Sequence, residues 1–247
     1  MSDQPKLAPE IVATIGGKTV SRSQILAWED RRACAVMRKL GMDIDSADTA
    51  TRRVALAERK LQLGHERIEA LLGRPLRVSK FGTGALARLS AGRRRFSTIE
   101  LAVNTVTSAA FVHWWNRHVV TGDEAPLLDI CPDHWIVRPG LNGWQEIVET
   151  TGGSPLASRL FIDYHDVDSL QSSPDSRYDY QITAVARRHD GTPIGGLRHQ
   201  LRDTATGFQM SLTAEFPALT PPNLITGHRW HLACEFANMS ERALDQS

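Results

Sequence analysis

The sequence predicts an α+β protein, with a helical N-terminal half followed by an antiparallel β-meander closed by a C-terminal helix. Three observations carry this. Charged residues with helical spacing dominate the first half, alternating apolar and polar runs separated by turn signals dominate the second, and Pro221-Pro222 opens a final stretch with helical spacing. The change of character near Thr121 sets the domain bounds at 1–120, mainly helical and basic, and 121–247, an acidic antiparallel-sheet α+β domain with a C-terminal helix.

Each element follows from local chemistry. The first ten residues are expected to fray. Ile11–Ile15 and Lys18–Val20 flank Gly16-Gly17 and read as a hairpin. Ser21 or Ser23 offers an N-cap to a helix over Arg22–Leu40, stopped by Gly41. A second helix is expected over Ala47–Leu72, with Val54, Leu61, Ile68 and Leu72 inside and Arg52, Arg53, Arg59, Lys60 and Arg67 outside, ended by Gly73-Arg-Pro75. A Gly82-Thr-Gly84 turn then leads into a short helix over Ala85–Ala91. Ser97-Thr-Ile-Glu100 matches a capping box, in which the serine hydroxyl and the glutamate satisfy reciprocal backbone amides, and predicts a helix reaching His118. Strands are expected over Trp144–Thr150, Leu160–His165, Tyr180–Arg187, Pro193–Arg202 and Phe208–Phe216, and a helix over Asn223–Leu244. A sheet of about five strands backed by a terminal helix is the layout of cup-shaped ligand-binding domains such as helix-grip and hot-dog folds. The helix-grip-like cup fits better, since its closing element is a C-terminal helix; the likeness is architectural and carries no function.

Charge is split along the chain. Residues 51–95 hold twelve Arg or Lys against three Glu, a net +9, whereas residues 121–247 hold nine Arg, no Lys and seventeen Asp or Glu, a net −8. Such asymmetry points to a bound polyanion or to two complementary surfaces that dock. No apolar run approaches the roughly 18 residues a membrane span needs, and the start lacks the charged-then-apolar layout of a signal peptide. The expectation is a soluble, cytoplasmic protein with no membrane partner. Cys34, Cys131 and Cys234 are widely separated and show none of the close spacings of zinc or thioredoxin-like motifs, which suits a reducing compartment.

Four residues are assigned as candidate catalytic groups: His199, His228, His231 and Glu235. The last three stand at i, i+3 and i+7 and share a helical stripe. They are ligand types that zinc or iron would want, and Asp163 and His165 could complete a set, but the stripe is assigned to proton transfer or polar ligand contact and no metal is assigned. Trp230, Ala233 and Ala237 form the opposite stripe, expected to face the sheet. His199 alternates with Leu197 and Leu201, so desolvation should keep its imidazole neutral and able to act as a base. Ordinary hydrogen-bonded histidines are the competing account of all three. Arg198 and Arg202 are expected to pair across strands with Glu146, Glu149 or Glu215.

The ligand-binding candidates are Lys80, Gly82, Gly84 and Arg93, Arg94 and Arg95 as a phosphate corner, with Trp114, Trp115 and Trp144 lining an apolar cavity between helices and sheet. Gly82-Thr-Gly84 is followed by no crossover strand, so it does not announce a dinucleotide site. No cofactor follows from the sequence. The chain is read first as a small-molecule-binding or metabolite-processing protein, with an apolar pocket and a basic corner for a phosphate, carboxylate or thioester carrier. The alternatives are a nucleic-acid-binding or regulatory protein using the basic 51–95 segment, and a non-enzymatic interaction protein, including a homo-oligomer, with complementary charged halves.

Overall fold

Strand β1 (Ile11–Ile15) buries Ile11, Ala13 and Ile15 on one face and turns through Gly16-Gly17, at φ of 58° and 78°, into β2 (Lys18–Ser21). This hairpin begins a nine-stranded antiparallel sheet in a computed structural model that describes residues 10–44, 47–104 and 106–245. The fraying expected at the start falls, for residues 1–9, outside the described residues. Helix α1 (Arg22–Leu40) carries the capping box the chain actually uses: the Ser21 hydroxyl accepts from the Gln24 amide, and the Gln24 side chain accepts from the Ser21 amide. Gly41 ends it at φ 65°.

Helix α2 (Thr49–Leu89) corrects three expectations. It runs past Gly73-Arg-Pro75, it absorbs the Gly82–Gly84 turn and the short helix after it, and it breaks instead at Gly64, at φ 71° and ψ 165°. On either side of Pro75 the helix is tied to the sheet, by the fully buried Leu72 before it and by a 2.7 Å Ser79–Ser158 hydroxyl bond after it, which help to offset the hydrogen bond that proline removes. Its inward face is also different. Val54 and Leu61 are exposed, while Arg53 and Lys60 are buried with Leu56, Ala57, Ile68 and Leu72. The buried cations are tolerated because they are bonded. Arg53 donates to Glu29 at 2.8 Å and Asn238 at 2.9 Å, and Lys60 donates to the carbonyls of Pro132 at 2.8 Å and His134 at 2.6 Å.

The helix expected from Ser97 is also overturned. Residues Arg94–Asn104 form β3, with Ser97, Ile99, Leu101 and Val103 buried and the residues between them exposed. Two-residue alternation along eleven residues, paired on both sides, outweighs a four-residue capping signature. The helix proper is α3 (Ser108–His118), capped by Thr107, and α4 (Glu124–Asp129) follows. Then come β4 (His134–Pro139), β5 (Gln145–Glu149), β6 (Ser158–Asp163), β7 (Tyr180–Arg187), β8 (Pro193–Asp203), β9 (Gly207–Pro217) and α5 (Pro222–Asp245). No strand is anticipated at β4 from the sequence.

The sheet order is β2-β1-β3-β9-β8-β7-β6-β5-β4, so β3, from the first half of the chain, lies beside β9, from the second. Helices α3 and α5 pack on this sheet, joining Phe111, Trp115 and Phe236 to Phe208, Met210 and Leu212 in the main core. Each such aromatic contributes about 1.5–3 kcal/mol by burial. A second core, with Val36, Leu56, Ile68, Trp135 and Val148, locks α1 and α2 onto β4 and β5. The charge split is partly consumed here, where Arg53 lies 3.5 Å from Asp129; His65 also bonds Glu124 at 2.8 Å, and Arg138 and Arg159 of the second half share Glu69 and Glu146. No helix among the described residues is long and apolar enough to cross a membrane.

Candidate functional site

Helix α5 is buried almost all round, so both of its stripes lie inside the protein. It crosses the turn after β5 at backbone contact. A Cβ on Gly227 would stand 2.0 Å from the Gly152 carbonyl oxygen, which only glycine avoids. That crossing holds His231 and Glu235 over the ends of β4 and β5 and His228 beside Ser97 of β3, and all three border a cavity of about 200 Å³ between α5 and the sheet. The stripe of Ala233 and Ala237 is buried in the main core, with Trp230 only partly covered. Apolar groups, among them Ile147, Leu160, Ile162, Leu197 and Phe236, form most of the cavity wall.

Polar groups gather at one end. His134, the first residue of β4, stands opposite Glu149, the last of β5. Its Nδ1 donates to the Leu127 carbonyl at 2.7 Å, so Nε2 is the free nitrogen; it lies 3.9 Å from Glu149 and 3.8 Å from Glu235. His231 Nε2 lies 3.6 Å from Glu149 and 3.8 Å from Glu235, and its Nδ1 lies 3.8 Å from Cys131 Sγ and 4.0 Å from Asp133. Asp133 is gripped by Arg32 at 2.7 Å, and the Thr151 hydroxyl donates to Glu149 at 2.7 Å. Two imidazoles, three carboxylates, one of them held by Arg32, and a thiol therefore meet in one cluster.

Burial and neighbouring charge set the protonation there. Burial works against a charged His231, but Cys131 and Glu149 beside it hold its pKa well above the usual histidine value. Burial likewise opposes a Cys131 thiolate, yet the Cys234 hydrogen bond and the His231 charge pull its pKa well down. Burial raises the Glu235 carboxyl against the pull of His134 and His231. His228 is pushed well below its usual value by burial, then by His231 and His199; its Nδ1 lies 3.0 Å from the Ser97 hydroxyl.

His199 lies in the cavity wall, edge-on to Phe236 at 4.7 Å, with its Nδ1 buried and unbonded. Burial lowers its pKa to about 3. Such an imidazole is neutral at pH 7 but takes up protons poorly, which suits a hydrogen bond to a ligand better than general-base work.

The other candidates are dispersed. Trp115 lines the cavity; Trp114 is buried against His118, and Trp144 lies outside under the Arg187 guanidinium. Gly82 and Gly84 are helical, so their amides serve the helix ladder rather than a phosphate cradle. Arg93 bonds the Ser90 carbonyl at 3.3 Å, Arg94 lies 3.7 Å from Glu215, and Arg95 bonds the Thr220 carbonyl at 2.7 Å. Lys80 lines a second groove with Arg77, Arg159 and Arg188, and Thr83 and Ile194 border both this groove and the cavity. Asp163 pairs with Arg187, and His165 is exposed, so neither joins the histidine cluster. Arg198 and Arg202 bond Gln181 and Gln209 rather than glutamates.

Sequence reasoning does not single out Cys131, His134 or Glu149 as site residues. Cys131 and His134 stand three residues apart in Cys-Pro-Asp-His, a spacing that offers a signal; Glu149 has none beyond its place at a strand end. No protein-family model matches the chain, and no curated protein matches it.

Proposed function

We propose that the protein binds a small, largely apolar metabolite carrying an anionic group. The molecule lies in the cavity under α5, its polar end at the imidazole–carboxylate cluster and its anionic end at Arg77 and Lys80 in the adjoining groove. One observation carries this: a mostly apolar cavity with a few convergent polar groups shares Thr83 and Ile194 with a groove lined by Arg77 and Lys80, alongside Arg159, which pairs with Glu69 and Glu146, and Arg188, which pairs with Asp190. Arg77 and Lys80 have no ion-pair partner among the described residues, so their charge is free for a ligand. Nucleic-acid binding is less well supported, because Arg53, Lys60 and Arg93–Arg95 of the basic segment are engaged within the chain.

Tryptophan fluorescence tests the proposal, since Trp115 borders the cavity. Titration with alkyl phosphates and alkyl carboxylates of increasing length should give saturable changes, tighter than for the matching alcohols. Arg77→Ala with Lys80→Ala should weaken the anionic series about tenfold or more and leave the alcohols unchanged. Equal affinity for charged and uncharged ligands, or no saturable change in either series, would remove the proposal.

A further inference from the structure

Cys131 lies in the segment between α4 and β4, His134 opens β4, and His231 lies on α5, yet one ligand atom from each falls within 4.8 Å of the other two, and all three residues are buried. We propose that these three residues bind a zinc ion, or a divalent ion of similar softness, with a fourth coordination position facing the cavity. Thiolate and imidazole are the donors such ions select.

Four features support this. Zinc–sulfur and zinc–nitrogen bonds of about 2.0–2.3 Å place tetrahedral ligands about 3.3–3.8 Å apart, and Cys131 Sγ already stands 3.8 Å from His231 Nδ1. Both rings have an acceptor near the nitrogen the metal does not use: the Leu127 carbonyl at 2.7 Å from His134 Nδ1, and Glu149 and Glu235 at 3.6 and 3.8 Å from His231 Nε2. Such outer partners fix the tautomer and orientation of metal-binding histidines. The carboxylates themselves have no lysine or arginine partner among the described residues, so a divalent cation would supply the compensating charge. Finally, His134, His231, Glu149 and Glu235 border the cavity and Cys131 does not. The thiolate therefore sits behind the metal and the open position in front, where an oxygen of the bound molecule or a water would coordinate. Three protein ligands with one open position is the arrangement of zinc sites that perform chemistry rather than brace a fold. The same placement argues against Cys131 as a nucleophile, since its sulfur does not reach the cavity.

Metal binding here does not depend on the ligand proposed above, and metal alone serves as the probe. Purified protein stripped by chelator should bind one Zn²⁺ or Co²⁺ per chain by calorimetry. With Co²⁺ it should develop a near-ultraviolet thiolate charge-transfer band and the visible absorption of a tetrahedral ion. A Cys34→Ser, Cys234→Ala variant retains Cys131 as its single thiol and should keep the band in full. Cys131→Ser should abolish it, and Glu149→Gln, which alters only an outer partner, should weaken zinc binding about 10–100-fold. Absence of the charge-transfer band at one equivalent in the single-thiol variant overturns the site, whether or not Cys131→Ser folds. Retention of the band in a folded Cys131→Ser protein overturns it equally.

Discussion

His199→Gln should make the protein markedly less sensitive to mild acid. The imidazole is 2 % exposed, its Nδ1 has no partner, and burial lowers its pKa from 6.5 to about 3. Because the folded value lies below the unfolded one, the folded chain binds fewer protons between them. The stabilisation this gives is complete above about pH 6.5 and is lost as pH falls toward 3. Linkage over the interval from pH 7 to 5 amounts to about 2 kcal/mol for this one group, a large share of a domain's net stability. Urea unfolding at pH 7, 6 and 5 measures it directly. Wild type should lose about 2 kcal/mol more than the variant across that range, with unchanged denaturant slopes. His228, also held down by burial, titrates in both proteins and largely cancels in the difference. Parallel pH profiles for wild type and variant would show that His199 takes up its proton in the folded state, and would refute the burial of a neutral imidazole in the cavity wall.

Two further substitutions probe how the site is held. Gly227→Ala puts a methyl where the Gly152 carbonyl already stands, so it should cost about 3 kcal/mol and lower the melting temperature by roughly 6–12 °C; an unchanged melting curve would mean that α5 does not cross the β5 turn at backbone contact. Arg53→Met removes the nearest cation from the fully buried Glu29 carboxylate and leaves it Arg22 at 3.8 Å and the Asn238 amide at 3.1 Å, so it should cost about 3 kcal/mol, while adding Glu29→Gln should recover much of the loss; additive losses in the double variant would show that the pair is not coupled.

Where local pattern and tertiary demand agree, the sequence is transparent. The hairpin at Gly16-Gly17, the stop at Gly41, and β7, β8, β9 and α5 are all set by turn chemistry or by alternation that burial reinforces. The failures have physical causes. Ser97-Thr-Ile-Glu100 satisfies a capping signature, but Ile99, Leu101 and Val103 fall on one buried face of a strand, and β1 and β9 supply both hydrogen-bonding edges. In α2 the hydrophobic stripe misleads because Gly64 resets its phase and because Arg53 and Lys60 find partners in distant segments. Local sequence contains no record of the carbonyls of Pro132 and His134, which make the inside of the fold acceptable to a lysine.

The same reasoning divides the candidate site. His231 and Glu235 are legible because a helix fixes their relation: four residues apart, they share a face whatever the rest of the chain does. What they meet is not legible. The sheet order places β4 at one edge with β5 beside it, six and five places from β3, and α5 meets their ends where Gly227 and Gly152 let two backbones touch. The contact brings Cys131 and His134 to His231 across about a hundred residues of sequence, a distance at which spacing rules for metal ligands have no purchase. The basic corner behaves in the opposite way. Arg93, Arg94 and Arg95 are conspicuous as a run, yet the local turn commits Arg93 and β3 commits Arg94 and Arg95 to acceptors within the chain, while Arg77 and Lys80, inconspicuous and one turn apart on α2, keep their charge at the groove. Charge density along a sequence therefore locates cations, and only the acceptors the fold brings near decide which of them stay available to a ligand.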